Sequence, residues 1–182
     1  MGANDRVNVA VCGIKGRGAS QIGGHGRQKN VNISHLVDPD SRLFSGREKF
    51  VQSKFKNTPK CVQDVREVLD NKEVDVISIA TPNHWHSLMS IWACQAGKDV
   101  YVEKPLSHNL FEGRMLVKAA KKYKRIVQHG TQNRSLSKWS KLANEIASGE
   151  KGKLEIALGT CHKRRGSIGF KDTKSPPNLS LI

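Results

Sequence analysis

Residues 74–80, VDVISIA, are apolar on both faces, which is how a strand reads when it lies inside a parallel sheet with helices above and below it. Such a strand needs neighbours of its own kind, and the sequence supplies them. VNVAVC (7–12), NISHLVD (32–38), a short run near Cys61, DVYVE (99–103) and RIVQHG (125–130) are further strand candidates. Segments of helical period stand between them, over about 17–28, 41–55, 63–70, 86–96 and 109–123. Asn109 is a candidate N-cap, and Gly97 sits where a helix C′ glycine belongs. This alternation predicts an α/β fold built on a doubly wound parallel sheet with both faces covered.

After Gly130 the rhythm changes. SKWSKLANEIAS (137–148) predicts a helix closed by Gly149, and GKLEIALGT (152–160) predicts a strand with no obvious partner upstream. The rest, CHKRRGSIGFKDTKSPPNLSLI, mixes Gly, Ser, Pro and charge without helical period and reads as loop. The expected division is a first domain over 1–135, then a connecting helix and only the start of a second α/β domain over 136–182.

Composition removes several function classes. No apolar run approaches the ~20 residues of a membrane helix, and the N-terminus lacks the basic and apolar regions of a leader. Cys12, Cys61, Cys94 and Cys161 are widely spaced, without a Cys-x-x-Cys pair, and read as reduced thiols. A cytoplasmic location is expected. Net charge is +15, but residues 1–113 hold 15 Lys+Arg against 12 Asp+Glu, whereas 114–182 hold 16 against 4. The basic excess includes KAAKKYKR (118–125), whose lysines suit a solvated helix face and lack the interleaved aromatics of a nucleic-acid binder. Nucleic acid is therefore the disfavoured partner.

The loop after the first strand, CGIKGRGAS (12–20), carries the chemistry. A dinucleotide loop needs a tight turn, unobstructed approach of backbone N–H groups to a pyrophosphate, and close helix packing. Gly13 and Gly18 take the first and third places of G-x-G-x-x-G, while Lys15 stands at the second and Gly16 offers a neighbouring permissive point. Lys15 and Arg17 add positive charge where phosphates would lie. Taken alone, the string also fits a turn that serves packing only. Asp38 strengthens the cofactor reading, because it ends the second strand 20 residues after Gly18, where an acid holds ribose hydroxyls. An acid there repels a 2′-phosphate and favours NAD, though nearby Arg42 leaves NADP open. A cap in the Asp-Pro-Asp turn is the competing role for Asp38.

Two more loops follow strands, TPNHWH (81–86) and EKP (103–105). Gly13 to Gly18, Asp38, Thr81-Pro82-x-x-x-His86 and Glu103-Lys104-Pro105, in this order and spacing, resemble the Gfo/Idh/MocA oxidoreductases, with similarity from about residue 7 to 159. The resemblance implies a Rossmann domain that binds NAD(H) or NADP(H) and a reaction that moves hydride to or from a sugar, polyol or related carbohydrate. It places Gly16 and Arg17 along the pyrophosphate and Asp38 at the ribose. Thr81, Pro82, Asn83 and His86 would line the cofactor, Glu103 and Lys104 would sit by the nicotinamide ribose, and Asn133 would close over the nicotinamide. Lys104 becomes the candidate catalytic residue, with a structural pairing to Glu103 as its alternative. His84 and His86 lack a carboxylate or cysteine at ligand spacing, so no metal is expected. Trp85 and Trp92, seven residues apart, are expected to pack. Complete members have a longer second domain, so the chain is expected to be a fragment, or to stop early, with little activity alone and a homo-oligomer only when complete. Alternatives are a dinucleotide-binding module without catalysis and a relative of NAD-dependent glycosidases.

Overall fold

β1 (Val7–Cys12) pairs on one side with β2 (Val31–Val37) and on the other with β4 (Val76–Ile79), both parallel. β3 (Lys60–Val62) adds beyond β2, and β5 (Asp99–Glu103) and β6 (Val127–Gly130) add beyond β4, giving the order β3-β2-β1-β4-β5-β6. All five pairings are parallel, and the order reverses between β1 and β4, as in dinucleotide-binding sheets. The computed structural model describes residues 6–160 and 166, so Cys161, His162 and the segment after KSPP lie outside the described residues.

Why β1 is apolar from Val9 to Cys12 follows from its two faces. Val9 and Val11 bury against Ile14, Ile22, Ile33, Leu36 and Val51. Ala10 and Cys12 bury on the other side with Ile77, Ile79, Val100, Val102, Met89 and Leu116. Each fully buried Val, Leu or Ile stabilises by about 1.5–3 kcal/mol, so both layers hold the strand in place. The first layer is supplied by α1 (Arg17–Gly26) and α2 (Phe44–Phe55), the second by α4 (His86–Gln95) and α5 (Leu110–Tyr123), with α3 (Arg66–Leu69) contributing Val68 and Leu69.

Local signals account for the ends. Asn109 Oδ1 accepts from Glu112 N at 3.0 Å, Glu112 Oε1 accepts from Asn109 Nδ2 at 2.8 Å, and α5 starts there. Gly97 takes φ +75° just past α4. The segment 41–55 divides into a 3₁₀ turn, Ser41–Leu43, started by Asp40 accepting from Arg42 N, and α2 proper. The segment 63–70 yields only the single turn of α3.

Contacts divide the chain at Gly130 and Thr131. The second unit holds a 3₁₀ turn, Gln132–Ser135, and α6 (Ser137–Ala147), a helix with no buried residue. The expected strand over 152–160 is not formed: its alternating Leu154, Ile156 and Leu158 are 57%, 83% and 84% exposed. A strand exists only through a partner's hydrogen bonds, and among the described residues none pairs with this run. No described helix is long and apolar enough to cross a membrane. Cys12 and Cys94 are free and buried and Cys61 is free and half-buried; burial pushes the Cys12 thiol far above its ordinary range.

Candidate dinucleotide-binding site

The loops after β1, β2, β4 and β5 lie together at the carboxyl ends of the parallel strands. Ala80 N donates to Cys12 O at 2.8 Å and Gly13 N to Val37 O at 2.8 Å, so the first loop is stitched to both neighbours as it leaves β1. Gly13 turns with φ +79°, and a Cβ there would meet Ala80 C and Thr81 N at 2.8 Å. Gly18 N donates to Lys15 O at 3.0 Å, and a Cβ at Gly18 would press into the Gly13 carbonyl. The first and third glycines of the loop thus permit backbone contact that no other residue allows.

Gly16 behaves differently. It adopts φ +49° at the N-cap of α1, a Cβ there would meet nothing within 4 Å, and no side chain caps the helix. Lys15 beside it is exposed. An open approach to uncapped N–H groups is what a pyrophosphate needs. Arg47 Nε braces the loop from α2 by donating to Ile14 O at 2.8 Å.

Asp38 is 8% exposed at the end of β2. Its Oδ2 accepts from Ile14 N at 3.0 Å and its Oδ1 from Asp40 N at 3.0 Å, which joins the loops after β1 and β2. Arg42 is engaged by Asp40, with Nε on Oδ1 at 2.7 Å and Nη2 on Oδ2 at 2.6 Å. Those hydrogen bonds hold the Asp40 carboxyl below its usual range, with the Lys15 charge acting in the same direction.

After β4, Pro82 O accepts from Trp85 N at 3.0 Å in a 3₁₀ turn, Asn83–Trp85, in which Asn83 is exposed. His86 is 2% exposed, and its ring spans two loops: Nε2 lies 2.9 Å from Thr81 O and Nδ1 2.6 Å from Pro105 O. The ring therefore lies between carbonyls of the loops that follow β4 and β5 and donates to one of them through its single N–H. The Thr81 hydroxyl is buried without a partner among the described residues. Trp85 and Trp92 pack on one another at 6.2 Å between ring centroids.

Glu103, 5% exposed, closes β5. Its Oε1 accepts from Arg17 Nε at 2.8 Å and Gln21 Nε2 at 3.2 Å, and its Oε2 from Lys104 N at 3.3 Å. Burial alone would raise its pKa, but hydrogen bonds from Arg17 and Gln21 outweigh it and hold the carboxyl below the ordinary range. Arg17 thus reaches across to β5, and Glu103 pairs with Arg17 rather than with the Lys104 side chain, which is exposed and makes no ion pair among the described residues. The Lys104–Pro105 peptide is cis. Asn133 lies in the 3₁₀ turn of the second unit, its carbonyl accepting from Leu136 N at 3.2 Å.

The depressed Glu103 pKa fixes a sign. Its contribution to stability is complete above the unfolded-state value and is lost as pH falls through the lower folded-state value. Thermal melts from about pH 6 down to about pH 3 are expected to show a smaller acid-induced loss in Glu103→Gln than in the unchanged chain. Equal losses would contradict the assignment.

Sequence reading did not find Gln21, His25, Ser78 or Arg47. Ser78 was the available signal: one polar residue, fully buried, inside the most apolar strand.

Comparison with known proteins agrees with this geometry. The Gfo/Idh/MocA family model, described as an oxidoreductase family with an NAD-binding Rossmann fold, matches residues 7–131. The chain belongs to that family. It is 35% identical over 118 residues to levoglucosan dehydrogenase of Pseudarthrobacter phenanthrenivorans, a match covering 65% of this chain and 28% of that protein. It is 30% identical over 112 residues to a Shewanella protein called glycosyl hydrolase family 109 protein 2, covering 59% of this chain and 25% of the other. The chain therefore spans about a quarter of the length of these relatives. A solved structure of GenD2 from gentamicin A biosynthesis, in complex with NAD, superposes with a TM-score of 0.72 at 24% identity, over 82% of this chain and 41% of that one, a likeness of fold.

An NAD-type dinucleotide fits the residues present. The open Gly16 turn, the uncapped start of α1 and the unpartnered Thr81 hydroxyl all lie at the crevice where the strand order reverses.

Proposed function

We propose that residues 1–135 bind NAD(H) in preference to NADP(H), as the cofactor part of an oxidoreductase acting on a sugar, polyol or related carbohydrate. Residues 136–182 would lead into the region that meets the substrate. When bound, the nicotinamide supplies hydride transfer at a carbon bearing a hydroxyl. The chain's own residues do the rest. Gly13, Gly16 and Gly18 keep the loop backbone open to the pyrophosphate, with Lys15 and Arg17 supplying positive charge. Thr81, Pro82 and Asn83 wall the crevice, His86 holds their loop from behind, and Glu103 anchors the loop of Lys104. The exposed Lys104 ammonium is the group suited to hold a substrate hydroxyl or assist its proton's transfer. Sugar and polyol chemistry is supported by relatives such as levoglucosan dehydrogenase and the inositol 2-dehydrogenase of Salmonella typhimurium. A cytoplasmic setting, and self-association through the substrate-binding region, complete the reading.

The observation that carries the cofactor choice is the pairing of Arg42 with Asp40 beside the anchored Asp38 carboxylate. Arg42, a cation beside this place, is already paired with Asp40, and the acid at Asp38 repels a 2′-phosphate. Calorimetric titration tests this. Asp38→Ala is expected to weaken NADH by about tenfold or more while leaving NADPH unchanged or improved. Asp40→Ala, which frees Arg42, is expected to improve NADPH. Equal losses for both cofactors in Asp38→Ala would argue against the ribose role, and no saturable binding of either by the unchanged chain would remove the cofactor claim.

A further inference from the structure

Behind the loops a row of buried polar groups runs from the third turn of α1 to the end of β5. His25 Nε2 lies 2.9 Å from Ser78 Oγ in β4, and the Ser78 hydroxyl donates to Gln21 Oε1 at 2.7 Å. Gln21 Nε2 in turn donates to Glu103 Oε1, whose other oxygen accepts from Lys104 N. Ser78 is fully buried and Gln21 is 6% exposed.

The row has a direction, set from its acidic end. An ionised carboxylate only accepts, so Gln21 must turn its NH₂ toward Glu103 and its carbonyl toward Ser78. The Ser78 proton is then committed to Gln21, and its oxygen accepts from the Nε2–H tautomer of His25. Burial lowers the pKa of His25, in keeping with a neutral ring, and Tyr101 packs edge-on against that ring at 5.5 Å. Arg17 shares the carboxylate, but its side chain is half exposed to water, which screens the pair. Gln21 is buried and bonded at both ends of its amide.

We propose that Gln21, oriented by Ser78 and His25, is a positioning residue for the Glu103–Pro105 loop: it fixes the Glu103 carboxylate and, through the Lys104 N–H, the direction in which Lys104 leaves β5. The inference rests on the cofactor reading, since it takes this loop to flank the nicotinamide half of the dinucleotide. None of the three residues needs to touch the ligand.

The test compares NADH with ADP-ribose, which lacks the nicotinamide, by calorimetric titration of the whole chain and four variants. Gln21→Leu, Ser78→Ala and His25→Leu are expected to weaken NADH about tenfold and to leave ADP-ribose within about twofold. His25→Gln, whose amide nitrogen can stand in for Nε2, is expected to restore the unchanged affinity for NADH. The His25 pair sits at a half-buried position and carries the test even if Gln21→Leu does not fold. Equal losses for both ligands, no loss for NADH, or His25→Gln as weak as His25→Leu would each overturn the positioning role while leaving the cofactor reading intact. Failure of the unchanged chain to bind either ligand would overturn both.

Discussion

Gly18→Ala is expected to abolish saturable NADH binding and to destabilise the first unit by about 3 kcal/mol, a fall in melting temperature of roughly 10 °C. The added Cβ would press into the Gly13 carbonyl oxygen and stand 2.7 Å from the Gly13 carbon. These are backbone atoms, held by the Gly13 N to Val37 O and Gly18 N to Lys15 O hydrogen bonds, so they cannot turn aside as a flexible side chain would. Relief requires the loop to leave the helix, which removes the phosphate approach with it. Gly24→Ala, in the same helix, is the control. A Cβ there meets nothing within 4 Å, and the variant is expected to gain up to about 1 kcal/mol from helix propensity. Loss of binding in Gly24→Ala, or its retention in Gly18→Ala, would show that the glycine spacing is not what shapes the site.

The second large effect belongs to His86. His86→Ala deletes a buried ring wedged between the Thr81 and Pro105 carbonyls and leaves the one it donates to without its partner, with an expected cost of about 3–4 kcal/mol. His86→Phe separates the two contributions, since it fills the space and donates nothing; about half the loss should return. Chemical denaturation of the three proteins checks this. NADH affinity should fall in both variants, because the loops after β4 and β5 are no longer tied together. A denaturation midpoint unchanged in His86→Phe would assign the role of the ring to packing alone.

How much of this was legible beforehand depended on distance along the chain. The alternation of strand and helix, the Asn109 cap, the Gly97 end of α4 and the acid ending β2 are written within a few residues of where they act. The sequence also indicated how Gly13 and Gly18 would be used, because the strand-loop-helix context restricts what such a spacing can do. The partners of the site are another matter. Arg17 meets Glu103 across 86 positions, Ser78 meets Gln21 across 57, and His86 meets Pro105 across 19. No periodicity reports such meetings. Thus Arg17, expected along the pyrophosphate, also bonds Glu103, and the alternative pairing of Lys104 with Glu103 gives way to Arg17. GKLEIALGT carried a strand's alternation but not its partner, and alternation without a partner left its apolar side chains exposed.

The place of β4 next to β1 also governs how the sheet comes into being. β1 and β2 register Val7 with Val31, a closure of modest length, whereas β1 and β4 register Val9 with Val76. A chain emerging from the ribosome can therefore pair β1 with β2 before β4 exists. During that interval the β4-facing edge of β1 is open, with its hydrogen-bonding groups unsatisfied and Val9 to Cys12 uncovered on that side. Completion of the cofactor crevice is thus the same event as closing that edge. Until then that open edge can pair with another unfinished copy.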